Sequence, residues 1–217
     1  THGRSAELTG EMALDRDGKI LAVRITGFGD MGAFLAGPQT STTNTVKNVV
    51  GVYTTPAVEI ATKMIVTNKT PVGAYRGAGR PEANYYMGRL VDMAAREMKI
   101  DPVEIRRRNM IPASAIPYKT PTQNTYDSGN FPAVFEKALK FADWDGYEAR
   151  KRDSASRGKV RGRGLAPYLE ATGPISKEMG GIRFDEDGGV TMITGTLDYG
   201  QGHATPFAQI VSQRLGV

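Results

Sequence analysis

The sequence predicts an α+β fold built as two subdomains, each a small mixed sheet carrying helices. Three observations predict it. Short runs of alternating apolar and polar residues, bounded by Asp-Gly turns, lie near both ends of the chain. Stretches with apolar residues at three- and four-residue steps follow those runs. The 26 glycines and 12 prolines among 217 residues call for many turns between short elements.

Taken in order, "ELTGEMALDRDGKILAVRITGFGD" reads as two strands around Asp15-Arg16-Asp17-Gly18, a hairpin signal. Residues 57–69 ("AVEIATKMIVTNK") read as a third strand. From Pro81 the period changes, with Ala83, Tyr86, Met87, Leu90, Val91, Ala94 and Met98 on one helical face. Proline near the first position of that helix removes an N–H that has no partner there anyway. "DPVEIRRRNMI" restarts a short helix, with Asp101 as N-cap and Pro102 at N1. Residues 112–130 hold three prolines and few periodic apolar positions, so they read as an extended connection. One helix is expected from about Pro132 to Lys151, then a basic linker. "GLAPYLEATG" and "MGGIRFDEDGGVTMITGT" read as three strands, the last two joined by Asp185-Glu186-Asp187-Gly188. "HATPFAQIVSQRLGV" closes as a helix. The expected organisation is a first subdomain over 1–118, a connection and helix over 119–160, and a second subdomain over 161–217.

Composition excludes several classes of function. With no cysteine, the chain has no disulfide, no thiolate nucleophile and no protein-ligated iron–sulfur cluster of its own. His2 and His203 are the two histidines and lie far apart, which speaks against a structural zinc site. A metal would have to arrive inside a cofactor that brings its own ligands. No apolar run of about 18 residues is present, nor a signal-peptide core near the first residues, so a cytoplasmic protein without a membrane span is expected. The net charge of +5 gathers at "RRR" (106–108) and in 149–164. The second run has no aromatic residue to stack a base, and both runs read as solvated or structural rather than as nucleic-acid sites. The chain opens on Thr and stops just after a helix, so a piece of a longer protein is expected.

Two junctions carry the chemistry. "GAYRGAGRPE" (73–82) and "GTLDYGQGH" (195–203) each place glycines between a strand and a helix. A helix N-terminus offers unpaired N–H groups and partial positive charge, and glycines let a ligand approach the backbone. Arg76 adds a forked donor for phosphate or carboxylate, and Gln201 both donates and accepts. Read together, Gly77-Ala78-Gly79 and Gly200-Gln201-Gly202 are expected to be halves of one anion-binding cradle, although either could be only a tight turn. Neither is a GxGxxG or a P-loop fingerprint. His203 reads as a helix cap; Asp30 and Asp198 lie near glycines but form no evident carboxylate pair.

"AYRGAGRPEANYYMGRLVDMAAREMKIDPVEIRRRNMI" resembles the large-subunit segment of molybdenum hydroxylases, the family of xanthine dehydrogenase, aldehyde oxidoreductase and carbon monoxide dehydrogenase. "GTLDYGQGHATPFAQIVSQRLGV" is similar to the family's second signature, and the opening hairpin is similar in kind to the one upstream of the first. The resemblance implies that the chain is part of a larger molybdopterin-binding domain. It implies a molybdopterin cofactor carrying molybdenum, in the cytosine dinucleotide form usual in bacterial members. Arg76, Gly77, Ala78 and Gly79 would line the molybdenum site, and Gly200, Gln201 and Gly202 would run along the cofactor. Arg4 would fall where purine-hydroxylating members orient substrate, with Ala78 also facing substrate. The implied partners are the remainder of the large subunit, an iron–sulfur subunit or domain, a flavin subunit or domain, and a small-molecule substrate, with no nucleic acid.

Departures narrow the expectation. Copper-containing carbon monoxide dehydrogenases carry cysteine where this chain has Gly77, and purine enzymes carry phenylalanine where it has Ala78. What remains is an aldehyde, an N-heterocycle or a related small substrate, oxidised with water-derived oxygen. The family's general-base glutamate lies in a segment downstream of the last helix, so no catalytic residue is expected within these 217 residues. The alternative is a non-enzymatic scaffold that keeps the fold without the chemistry.

Overall fold

The computed structural model describes residues 5–35, 40–170, 177–198 and 200–217. Two compact units are present, Thr1–Glu170 and Ala171–Val217. Helices and small open sheets alternate in both, the expected α+β class.

In the first unit, β1 (Ala6–Leu14) and β2 (Ile20–Gly32) form the predicted hairpin. Its turn closes on Asp15, whose carboxylate accepts the Asp17 and Lys19 amides at 2.9 and 2.8 Å. Gly18 takes φ 77°, a left-handed conformation that an L side chain rarely adopts. Strand β3 (Ala57–Val66) pairs parallel to β2, giving the order β1-β2-β3. Between β2 and β3 lies α1 (Thr40–Asn48), which the sequence reading missed. "TSTTNTVKN" has little apolar periodicity and is rich in residues of weak helix propensity, so tertiary contacts decide its conformation.

The helix predicted from Pro81 is α2 (Arg80–Met98), burying Ala83, Met87, Val91, Ala94 and Ala95. Met87, Val91, Ala94 and Ala95 pack with Ile20, Val23 and Ile25 of β2 and with Val49, Val50, Val52 and Tyr53 to form the core. Helix α3 (Pro102–Asn109) starts as expected, the Asp101 carboxylate accepting the Val103 and Glu104 amides at 2.8 and 3.0 Å. Asn109 then ties α3 to the distant hairpin: its side chain accepts the Ile20 amide and donates to the Gly18 carbonyl, both at 2.8 Å.

Three expectations need correction. Residues 112–130 are not wholly extended, since they hold a 3-10 turn (Ala113–Ala115) and a minimal hairpin of β4 (Tyr118–Lys119) and β5 (Thr125–Tyr126). The single helix expected over 132–151 is two, α4 (Phe131–Phe141) and α5 (Tyr147–Ser156). The break follows the apolar pattern, which buries Phe135 and Leu139 in α4 but has no counterpart in the polar α5. Asp143 turns left-handed (φ 45°) at the break, and Arg150 returns from α5 to pair with it. Third, the described residues 164–170 form no strand. Pro167 cannot donate to a ladder, and the backbone there is bonded to side chains instead. Asn84 exchanges two hydrogen bonds with the Leu169 amide and carbonyl (3.1 and 3.2 Å), and Arg106 donates to the Leu165 carbonyl at 3.1 Å. Residues 161–170 lie within the first compact unit.

The basic runs are engaged internally. Arg106 is fully buried, pairs with Asp92 at 2.7 Å and donates to the Pro102 carbonyl at 2.9 Å. Arg107 pairs with Glu136, and Arg108 with Glu104. Arg161 donates to the Ser154 hydroxyl. Arg163 donates to the Trp144 carbonyl, its guanidinium 4.1 Å from the Trp144 ring centroid and 4.2 Å from that of Tyr147.

The second unit contains the antiparallel pair β6 (Gly180–Phe184) and β7 (Val190–Thr194), with α6 (Ala204–Leu215) packed on β7. Their turn is held by Asp185, which accepts the Arg183 side chain and the Thr191 hydroxyl, each at 2.6 Å.

Two expectations follow for stability. Asp92→Ala leaves the buried Arg106 guanidinium without its carboxylate and should cost about 3 kcal/mol in chemical denaturation. Asp92→Ala with an unchanged denaturation midpoint would remove Arg106 from its structural role. Arg163→Ala should cost about 1 kcal/mol. Because Trp144 is the only tryptophan, the same substitution should alter the intrinsic fluorescence of the native state.

Candidate functional site

The first glycine loop is a run of three left-handed residues, Gly77 (φ 88°), Ala78 (φ 41°) and Gly79 (φ 96°), leading directly into α2. At Gly77 the conformation leaves no room for a side chain. A Cβ there would lie 2.6 Å from Cγ of Pro81, the proline that opens the helix. Ala78 carries its methyl in a backbone region that costs an L residue about 1–2 kcal/mol, so surrounding bonds must hold it.

Those bonds fall on three consecutive carbonyls. Gly77 O accepts the Arg80 amide at 3.0 Å and an Arg80 guanidinium N–H at 3.4 Å. Ala78 O accepts the Asn44 side-chain amide, and Gly79 O accepts the Thr45 hydroxyl, both at 2.9 Å. Helix α1, invisible to the sequence reading, thus acts as a brace, with Asn44 and Thr45 fixing the loop from behind. In a trans peptide the N–H points opposite to the C=O. With Ala78 O held by Asn44, the Gly79 N–H is turned away from α1. Arg76 is exposed at the start of the loop.

The second loop is organised differently. Gly200 (φ 102°) and Gly202 (φ 72°) are both left-handed, and an added Cβ at either would meet open space. Packing around the loop does not demand glycine there; the backbone is simply left bare. The loop amides, however, are already engaged. One carboxylate oxygen of Asp198 accepts the Gly200, Gln201 and Gly202 amides at 2.8, 2.9 and 3.2 Å, and the other accepts the His203 amide at 2.9 Å. Successive amides gathered on one anion form a nest, and here the anion is internal. The expectation that these N–H groups are unpaired is thus corrected: what the loop presents outward is its bare glycines and the exposed Gln201 side chain. The sequence signal for this was present, since an Asp two residues before a glycine commonly bonds the backbone ahead of it.

His203 makes no side-chain capping bond to α6. It stands at the N-cap position, its ring stacks on Phe207 at 5.0 Å, and its own amide is bonded to Asp198. Asp30 also proves local. The Thr67 hydroxyl, the Gly32 amide and Lys69 hold its carboxyl well below the usual carboxylate range, tying the end of β2 to the turn after β3. Arg4 lies outside the described residues. Among the described residues no group of acidic or histidine side chains is placed to bind a metal ion, and no helix is long and apolar enough to cross a membrane.

Residues 1–110 match the model of a molybdopterin cofactor-binding domain, and residues 137–217 match a second model of the same description. The chain belongs to the molybdopterin cofactor-binding domain family. It is 30% identical over its whole length to the nicotine 6-hydroxylase large subunit of Paenarthrobacter nicotinovorans, covering 28% of that protein. It is 33% identical to the carbon monoxide dehydrogenase large chain of Hydrogenophaga pseudoflava, with 99% of this chain and 29% of that one aligned. Among solved structures, quinoline 2-oxidoreductase from Pseudomonas putida 86 superposes with a TM-score of 0.86 at 30% identity, covering 98% of this chain and 29% of that one. The chain therefore spans under a third of the length of these relatives.

The residues present fit such a cofactor. It is anionic and rich in heteroatoms and carries its own sulfur ligands, so a chain without cysteine can hold it by arginine, amide and bare backbone. The first loop offers the exposed Arg76; the second, in its own unit, offers the exposed Gln201 and two glycines at which an added Cβ would meet open space.

The Gly200 and His203 amides are the main reason that the Asp198 carboxyl sits below its ordinary value. A depressed carboxyl contributes its stabilisation above the ordinary Asp range and loses it as pH falls through the lowered pKa. In an NMR titration the amide resonances of residues 200–203 should move together, with a midpoint below the ordinary Asp value. A midpoint at or above that value would disprove the nest. Asp198→Asn should abolish the transition.

Proposed function

We propose that this chain forms part of the large subunit of a molybdenum-dependent hydroxylase. The substrate is an aldehyde, an N-heterocycle or a related small molecule, oxidised with oxygen derived from water. The cofactor is molybdopterin, in its cytosine dinucleotide form, and the electrons leave through iron–sulfur and flavin partners in a cytoplasmic complex. The observation that carries this reading is the 77–79 loop, whose three carbonyls are tied inward by Arg80, Asn44 and Thr45. Family membership across both halves of the chain supports it. So do relatives named as a nicotine hydroxylase, a xanthine dehydrogenase molybdenum-binding subunit and a quinoline oxidoreductase. The relative named as the gamma subunit of a 6-hydroxypseudooxynicotine dehydrogenase complex supports a multi-subunit setting.

When bound, the molybdenum–pterin group supplies the redox centre that accepts two electrons from substrate. The residues of this chain bind and orient. Arg76 offers a forked, permanently charged donor to an anionic or oxo group. The bonds on the 77–79 carbonyls fix the loop before the ligand arrives, which avoids reorganisation on binding. Gln201 donates to and accepts from a heterocycle edge, and Gly200 and Gly202 let the ligand approach the backbone. Ala78 leaves space for substrate where a larger side chain would wall it off. Gly77 argues against a copper–thiolate site, both because it is not cysteine and because its conformation excludes a Cβ.

In the complete enzyme, Arg76→Ala should lower molybdenum occupancy or turnover by roughly tenfold or more, as expected when one charged, positioned donor is lost. Metal analysis and steady-state kinetics check this. Unchanged molybdenum content with an unchanged rate would overturn the role given to Arg76. A native protein captured from its source without molybdenum or pterin would instead favour the scaffold reading.

A further inference from the structure

Behind the first loop, residues 165–170 cross the helices as a strap with no strand or helix of its own. Its backbone is pinned by Arg106 at Leu165 and by Asn84 at Leu169. That pinning delivers Glu170 to Arg80, with Oε1 of Glu170 2.9 Å from Nε of Arg80. The other carboxylate oxygen accepts the Tyr168 hydroxyl at 2.9 Å. The Arg80 side chain is only 12% exposed, so the pair is shielded on the guanidinium side. A second nitrogen of the same guanidinium reaches Gly77 O. The Tyr168 hydroxyl itself lies 3.4 Å from where a Cβ of Gly77 would stand. The strap therefore reaches the left-handed loop through Arg80, and its Tyr168 hydroxyl bounds the space beside Gly77.

We propose that Arg80, clamped by Glu170, is a positioning residue that sets the 77–79 loop in its ligand-ready conformation. Left-handed backbone at Ala78 persists only where its surroundings over-determine it. Asn44 and Thr45 fix the two later carbonyls, while Gly77 O, at the edge nearest Arg76, accepts the Arg80 amide at 3.0 Å and is further tied by the Arg80 side chain at 3.4 Å. A free arginine could swing away along its flexible stem. The ion pair with Glu170 keeps the guanidinium beside the loop, where one of its terminal N–H groups reaches Gly77 O. This proposal rests on the reading of the loop as cofactor-facing.

The test uses Glu170→Gln in the complete enzyme, which keeps shape and loses the charge that fixes the guanidinium. Hydrogen–deuterium exchange of the cofactor-free form is followed at 76–80 and, as a control for global loosening, at 102–109. Exchange at 76–80 should rise roughly tenfold while 102–109 stays unchanged, the mark of local opening. In the loaded enzyme kcat should fall roughly tenfold or more, the scale expected when a catalytic assembly is misplaced by under an ångström, with KM nearly unchanged and an altered paramagnetic spectrum of the partly reduced molybdenum. Unchanged exchange at 76–80, or a rise shared equally by 102–109, overturns the proposal. Faster loop exchange with normal molybdenum content and normal kcat upholds the clamp and overturns the reading of the loop as cofactor-facing. Should Glu170→Gln fail to accumulate as folded enzyme, Glu170→Asp, which keeps the charge and shortens its reach, is measured by the same criteria.

Discussion

Much of the first unit depends on one guanidinium that has no access to water. Arg106 joins α2 through Asp92, the start of α3 through the Pro102 carbonyl, and the 165–170 strap through the Leu165 carbonyl. A buried charge is costly unless it is paired and its donors are satisfied. Supplying acceptors to its two terminal nitrogens requires those three pieces to converge, although its Nε makes no hydrogen bond, so burial of Arg106 specifies an arrangement that apolar packing alone would leave loose. The strap, lacking a sheet of its own, is held largely by this bond and by Asn84. The position of Glu170, and with it the Arg80 clamp, descends from the same convergence.

The two glycine loops solve one problem in opposite ways. A bare backbone near a helix N-terminus has unpaired groups and many accessible conformations, and something must fix it before a ligand does. In the first loop the carbonyls are fixed, by Arg80, Asn44 and Thr45. In the second the amides are fixed, by the single carboxylate of Asp198. The donors left to a ligand differ accordingly. The first loop keeps an exposed cation, Arg76, at its start, which suits negative charge. The second has spent its N–H groups and adds a carboxylate of its own, so its useful groups are the Gln201 side chain and the exposed glycine backbone. Helix N-termini alone would give both loops the same chemistry, and the contrast arises from Asp198.

Elements with a strong local code were legible in the sequence: the Asp15–Gly18 turn, the α2 stripe from Ala83 to Ala94, and the Asp101-Pro102 start of α3. Each rests on interactions within a few residues. The strap, α1 and the split between α4 and α5 were not legible, because their conformations are set by distant partners. Asn84 and Leu169 are separated by 85 residues, and Thr45 and Gly79 by 34. At the candidate site, glycines and Arg76 announce themselves by type. The residues that hold them, Arg80, Glu170, Asn44, Thr45 and Asp198, carry no local pattern that marks them as support. A basic triplet read as a solvated face concealed Arg106 for the same reason: composition cannot tell a surface arginine from one that a distant aspartate and carbonyl will bury.

The first loop also shows where variation can enter such a site. Gly77 cannot take a side chain without striking the Pro81 ring, and Gly79, at φ 96°, lies well beyond the conformations that L residues adopt readily. Ala78, at φ 41°, is close to the left-handed region open to ordinary residues at a modest cost. Its carbonyl is held by Asn44, so a change of side chain need not disturb the backbone bond that fixes the loop. Of the three positions, only 78 can therefore alter the shape of the surface without refolding it. The strained conformation has a consequence beyond exposing the backbone. It confines side-chain variation within 77–79 to one position, and the methyl group found there leaves that position nearly as open as a glycine would.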